Sequence, residues 1–335
     1  MTLYDLPAPA KLNLFLHVVG RRPDGYHLLQ SLFRLVTLAD TITVDLRHDG
    51  QIVRESTLAA EIVHDQDLTV RAARALQART GTRLGAQIHI TKRIPTGAGL
   101  GGGSSDAATV LIALNRLWRT NLSRQALMEL GLTLGADVPF FLHGTAGFVQ
   151  GVGEQIQTVP APDVSYILFQ PDVHIETRAV FTDPDLTRDS EMVKITDFSG
   201  CINFVGSEAA TSPDKHSGPQ VDNMHLWRKA GFGKNDLEAV VLKKFSAVNQ
   251  VKSWLVSQGV LVRLTGSGSC LFAEMQTPEC AQLAAKELIA KMQSSNATPA
   301  VGCGVPIKAV HVCDGLDVHP LKDWVSDSLG SRQVG

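Results

Sequence analysis

Five glycines fall within the seven positions from Gly97 to Gly103, in the run Pro95-Thr96-Gly97-Ala98-Gly99-Leu100-Gly101-Gly102-Gly103-Ser104-Ser105-Asp106. Glycine lacks a Cβ, so such a run reaches positive φ and lets backbone approach a ligand closely. Before it, Gln87-Ile88-His89-Ile90-Thr91 alternates as a strand does. After it, Ala107, Val110, Leu111, Leu114, Leu117 and Trp118 recur at helical spacing, with Ser104 or Ser105 placed to cap. A glycine loop running into a helix N-terminus brings free N–H groups and the positive end of the helix dipole to one spot, which suits phosphate. A merely flexible turn needs neither the strand in front nor the capped helix behind.

Two common phosphate loops do not fit. Gly97, Gly99 and Gly102 satisfy G-x-G-x-x-G, but the dinucleotide fold needs a βαβ unit with an acid about 20 residues on. Here a second helical pattern, from about Ser123 to Leu134, follows the first with no strand between them. The pattern G-x-x-x-x-G-K-[ST] is absent, because no lysine follows the glycines.

The run P-T-G-A-G-L-G-G-G-S-S-D-A resembles the phosphate loop of the GHMP kinases, small-molecule kinases named for galactose, homoserine, mevalonate and phosphomevalonate. That resemblance implies that Pro95, Gly97, Ala98, Gly99, Leu100, Gly101, Gly102, Gly103, Ser104 and Ser105 bind ATP. It also implies Mg²⁺, with Ser105 as a ligand. The extra glycine before Ser104-Ser105 resembles one branch of the family, whose acceptor is a cytidylyl methylerythritol of the non-mevalonate isoprenoid route.

Other stretches carry the same resemblance. In Pro9-Ala10-Lys11-Leu12-Asn13-Leu14-Phe15-Leu16, Leu12, Leu14, Leu16 and Val18 alternate onto one strand face and Lys11, Asn13, Phe15 and His17 onto the other. By spacing alone Lys11 and Asn13 belong to a solvated face; the resemblance implies that they line the substrate pocket, with Lys11 catalytic. Arg22-Pro23-Asp24-Gly25 is a strong turn signal, followed by Tyr26 and His27. Spacing alone makes Tyr26 a half-buried packing residue. The resemblance makes it a stacking partner for cytosine and brings His27 to the base edge. Thr177 and Phe181 stand in T-x-x-x-F-x-D-P-x-L, which resembles the segment supplying a second aromatic over the base. Asp137, in the loop phrase G-A-D-V-P-F-F, matches the family's catalytic Asp. Gly266 and Ser267, in L-T-G-S-G-S-C, match a glycine turn that lies beside the phosphates; by itself the phrase reads as a hairpin turn. Asp67 can cap a helix from Leu68 to about Thr80, closed by Gly81. The family usually has Asn there, contacting adenine; Asp can accept from the adenine amino group but cannot donate to a ring nitrogen. Lys92 resembles a lysine near the adenine and otherwise reads as a solvated strand end.

The elements that must hold these residues follow in order. Thr41–Leu46 alternates as a strand, and Gly144–Glu154 reads as a hairpin. Val164–Phe169 reads as a strand, then helices from about Asn235 to Phe245 and on to Ser257. Strands at Val260–Leu264 and Cys270–Glu274, a helix from Thr277-Pro278 to about Met292 and a strand at Ile307–Val312 complete β-α-β-β-α-β with one extra helix, which suits a ferredoxin-like domain. The expected fold class is α/β (two-layer α+β). Residues 1–162 would form the N-terminal kinase domain, ribosomal-S5-domain-2-like by resemblance, and 163–315 the ferredoxin-like one. A Gly-, Ser-, Asp- and Pro-rich insertion near 197–223 and a tail at 316–335 match nothing in the family.

With 335 residues the chain can bury two cores, and a net charge of −2 gives no reason to expect a nucleic-acid partner. The five cysteines are scattered without C-x-x-C, as in a reducing compartment. No apolar run reaches membrane-spanning length and no basic-then-apolar leader opens the chain, so a cytoplasmic protein without membrane contact, monomeric or weakly dimeric, is expected. The resemblance implies transfer of the γ-phosphoryl of ATP to the 2-hydroxyl of the cytidylyl substrate. The alternatives are a homoserine- or mevalonate-type kinase, or a non-catalytic nucleotide sensor on the same fold.

Overall fold

Thr2–Arg21 (β1) and His27–Arg47 (β2) form a long antiparallel hairpin turned through Gly25, whose φ is +92°. The computed structural model describes residues 1–56, 66–195, 233–296 and 304–327, with the backbone alone at 294–296. The expected insertion at 197–223 and the end of the expected tail lie outside the described residues.

The pairing shifts register at four places, and the one between Asn13 and Phe15 bears on the site. Asn13 stands opposite Phe33 and Phe15 opposite Leu32, so β1 bulges between them. A bulge transfers the following side chains to the opposite face. Leu12, Leu14 and Phe15 therefore share one core, while Leu16 and Val18 enter another. The single alternating face expected for Leu12 to Val18 is corrected accordingly.

After Ile52–Ser56 (β3) comes helix Leu68–Thr80 (α1), capped by Asp67 and closed by left-handed Gly81 as expected. Gly85–Thr91 (β4) precedes the glycine loop. Helix Gly102–Leu117 (α2) begins five residues before its apolar pattern, and its N-cap is Gly101, left-handed at φ +71° and without a side-chain cap. The expected cap at Ser104 or Ser105 is not formed: both lie inside the first helical turns. Ala107, Val110, Leu111 and Leu114 of α2 are fully buried in a core shared with α1, β2 and β4. Truncating Leu111 there would cost about 2–5 kcal/mol. Arg124–Leu132 (α3) and Val138–His143 (α4) cover the same core, and the hairpin Gly147–Gly151 (β5) and Gln155–Thr158 (β6) turns through Val152-Gly153-Glu154, with its second strand running past the expected end at Glu154.

The second half holds Ser165–Pro171 (β7), Thr177–Phe181 (α5), Glu238–Lys244 (α6), Ser246–Ser257 (α7), Arg263–Leu264 (β8), Leu271–Met275 (β9), Pro278–Asn296 (α8) and Ile307–Leu316 (β10). Among the described residues the order is the expected one with the short helix α5 added and with β8 shorter than its apolar run. The sheet runs β3-β4-β2-β10-β7-β9-β8, with β1 and β5 also on β2 and β6 on β5. Gly315 and Leu316 pair with Val36 and Leu35, so one sheet passes through both halves. A cluster of Ala10, Leu12, Leu14 and Phe15 with Tyr166, Leu168 and Phe272 packs across that junction.

Candidate active site

A cavity of about 1280 Å³ lies between the halves, lined by the whole loop from Pro95 to Ser104. The loop is held main chain to main chain. Lys11 N–H donates to the Leu100 carbonyl (3.0 Å) and Cys270 N–H to the Ala98 carbonyl (3.3 Å). Gly97, Gly99 and Gly101 all have positive φ. Because Gly101 offers no side chain, the first N–H groups of α2 are left for an anion, unlike those of α1, which Asp67 occupies.

Beside the loop, Lys11 Nζ donates to Asn13 Oδ1 (2.5 Å) and stands 3.4 Å from Asp137 Oδ2. The lysine ammonium also lies 4.5 Å from the centroid of the Phe33 ring. Asn13 is fixed in turn: its N–H donates to Thr265 Oγ1 (2.9 Å) and its Nδ2 to Ser31 Oγ (2.9 Å). Asp137 sits at the start of α4 but makes no capping bond, so its carboxylate is left for the cavity. The Lys11 side chain is 5% exposed and that of Asp137 33%. A buried cation therefore meets a reachable carboxylate, a pairing that can take a proton from a hydroxyl and stabilise the charge that develops.

Across the cavity stand Tyr26, His27, Thr177, Phe181, Gly266 and Ser267. Tyr26 is not half-buried, as packing alone suggested, but 63% exposed. The His27 and Phe181 rings lie 5.1 Å apart, tilted by 37°. Thr177 and Ser267 hydroxyls share a hydrogen bond of 2.8 Å. Burial, then the charges of Arg188 and Arg21, hold the His27 pKa below its ordinary value.

On the α2 side of the loop, Asp67 and Lys92 line the same cavity. Both Asp67 oxygens are committed: Oδ1 accepts from Thr69 N–H (2.8 Å) and Thr69 Oγ1 (2.5 Å), and Oδ2 pairs with Arg54. Lys92 is no solvated strand end. Its ammonium bridges Asp40 and Asp106, the latter at 2.7 Å. Burial pushes Asp106 up to about 7, with Lys92 pulling against it and Asp40 adding to the rise.

Every sequence-predicted site residue lines this cavity except Ser105. Its side chain is fully buried and its hydroxyl donates to the Pro9 carbonyl (2.7 Å), so it ties α2 to β1 and is not presented to a metal. Ser104, one residue earlier on the helix, faces the cavity instead. Arg188, Arg54, Asp40 and Asp106 were missed. An arginine two residues beyond Leu186 and a carboxylate directly after Ser104-Ser105 were the only signals available, and neither is specific alone.

Residues 67–145 match the GHMP kinases N terminal domain and residues 222–294 the GHMP kinases C terminal domain. The 4-diphosphocytidyl-2-C-methyl-D-erythritol kinase of Bordetella bronchiseptica is 50% identical over 326 residues, covering 97% of this chain and 100% of that one. The enzyme of the same name from Thiobacillus denitrificans is 46% identical over 321 residues, covering 96% and 98%. A crystal structure of a 4-(cytidine 5′-diphospho)-2C-methyl-D-erythritol kinase superposes with a TM-score of 0.68 at 30% identity, covering 94% of this chain and 99% of that one. The chain belongs to the GHMP kinases, and within them to the 4-diphosphocytidyl-2-C-methyl-D-erythritol kinases.

Proposed function

We propose that the chain transfers the γ-phosphoryl group of ATP to the 2-hydroxyl of 4-diphosphocytidyl-2-C-methyl-D-erythritol, in the non-mevalonate isoprenoid route. The observation that carries this reading is one cavity holding a glycine loop, the Lys11–Asp137 pair and an aromatic wall of Tyr26 and Phe181. A homoserine or mevalonate acceptor would leave that wall without a base to stack, and a sensor would have no use for an intact Lys11–Asp137 pair.

In this reading the loop N–H groups and the α2 N-terminus hold the phosphates. The acceptor hydroxyl lies between Lys11 and Asp137, in line with the γ-phosphorus. A new P–O bond forms to that oxygen as the bond to the β-phosphate oxygen breaks, and ADP leaves. Asp137 accepts the hydroxyl proton and Lys11 stabilises the developing negative charge. Asn13 holds Lys11 in place. Tyr26 and Phe181 stack on the cytosine, and His27 meets its edge. Asp67 and Lys92 flank the adenine through their packing, since their charged atoms already have protein partners.

Among the described residues no group of three His, Cys, Asp or Glu is gathered to hold a metal. Ser104, a hard oxygen donor at the cavity, suits Mg²⁺ held chiefly by nucleotide phosphates. Bound there, Mg²⁺ would neutralise charge on the β- and γ-phosphate oxygens. Among the described residues no helix is long and apolar enough to cross a membrane. We take the protein as cytoplasmic and as a monomer or weak homodimer, with a domain boundary at 162/163.

The test is ADP formation with a panel of alcohols. Turnover with the cytidylyl substrate, and none with homoserine or mevalonate, supports the reading. Turnover with homoserine or mevalonate in its place, or nucleotide binding without ADP release, overturns it.

A further inference from the structure

One guanidinium serves four acceptors at the edge of the aromatic wall. Arg188 Nε–H donates to His27 Nε2 (3.1 Å) and Nη1 to the Leu186 carbonyl (2.9 Å). Nη2 donates to the carbonyls of Phe181 (3.1 Å) and Asp183 (2.6 Å). His27 opens β2 in the first half of the chain, and Phe181 closes α5 in the second. Arg188 therefore holds together, from behind, the ring at the base edge and the ring at the base face.

The chemistry of the group decides more than position. A guanidinium has donors only and stays charged. His27 Nε2 must then present its lone pair, which places the ring proton on Nδ1. Burial and the positive charges of Arg188 and Arg21 both disfavour the doubly protonated ring. Cytosine differs from uracil in offering an acceptor at N3, so a ring fixed as a donor on Nδ1 discriminates where a freely switching ring does not.

We propose that Arg188 is a positioning residue for pyrimidine recognition: it fixes His27 as the Nδ1–H tautomer and anchors Phe181, so that the cavity wall offers a donor to the acceptor edge of cytosine. This rests on the cytidylyl reading of the site.

The experiment uses the full chain labelled with ¹⁵N-histidine, with the His27 signals assigned by their loss in His27→Gln. In the wild type, with and without added CDP, Nδ1 should show the protonated shift and Nε2 the unprotonated one. In Arg188→Gln both ring nitrogens should move toward averaged shifts. KM for the cytidylyl substrate should rise about tenfold, as for one lost charge-assisted hydrogen bond, with KM for ATP and kcat within about twofold. Arg188→Lys keeps the charge but cannot reach all four acceptors, and should fall between the two. A proton on Nε2 in the wild type overturns the proposal without recourse to any variant. So does an Arg188→Gln protein with unchanged KM, or one in which KM rises equally for both substrates. Failure of the wild type to turn over the cytidylyl substrate would instead remove the functional reading, and the tautomer measurement would stand apart from it.

Discussion

A Cβ built on Gly99 would lie 2.3 Å from the carbonyl oxygen of Thr265. The phosphate loop and the glycine turn of the second half thus touch backbone to backbone. Gly266 answers from the other side, where a Cβ would fall 3.0 Å from the Gly99 carbonyl oxygen. Glycine is required at Gly99 twice over, because its φ is +75° as well.

Replacing Gly99 with Ala should therefore raise KM for ATP by about tenfold or more and lower the melting temperature, since strain of about 1–2 kcal/mol adds to a backbone clash. Gly259→Ala is the control. Its φ is +78°, but nothing lies within 4 Å of the added carbon. That variant should lose only the stability due to φ and keep its KM for ATP. An unchanged KM in Gly99→Ala would show that the contact does not shape the loop.

Tyr26 and Phe181 give a second prediction. Each stacked ring contributes about 1–3 kcal/mol to holding a base, so Tyr26→Ala or Phe181→Ala should raise KM for the cytidylyl substrate about tenfold or more. KM for ATP should stay within about twofold. Because Tyr26 is 63% exposed, its removal should barely change the melting temperature, which separates recognition from folding. Weakened ATP binding would contradict the assignment of this wall to cytosine.

The charge cluster at Lys92 predicts a pH dependence. Asp106 keeps its proton in the folded chain up to about pH 7, against 3.8 for the ordinary group. Between those values the unfolded chain gives up a proton that the folded chain holds, so this group's contribution to stability falls as pH rises through the window. Asp106→Asn should flatten that part of the melting-temperature profile. A profile of unchanged slope in the variant would mean that Asp106 is ionised throughout.

Much of this was legible in the residues themselves. The glycine loop, Asp67 with Gly81, and the β-α-β-β-α-β order each rest on local chemistry: positive φ, a side-chain cap, or periodicity. What escaped depends on contacts distant in sequence. The bulge after Asn13 is set by pairing with Phe33 and Leu32, and no residue of β1 announces it. The resemblance implies Ser105 as a ligand, yet one step along a helix turns its hydroxyl onto the Pro9 carbonyl. Lys92 looked solvated because its partners, Asp40 and Asp106, come from other elements. Arg188 meets His27, a residue from the other half of the chain.

The most direct test of the account is the chemical step of Asp137→Asn, followed by rapid quench at saturating ATP and cytidylyl substrate. Lys11 and Asp137 stand 3.4 Å apart at the loop, and the proposed reading has the aspartate accept the proton and the lysine meet the charge. Asp137→Asn and Lys11→Met should each slow phosphoryl transfer by about 100-fold or more with nucleotide affinity retained. Their double mutant should be little worse than the poorer single, because the pair acts as a unit. Near-wild-type transfer in Asp137→Asn would contradict the account and leave the aspartate no part in moving the proton.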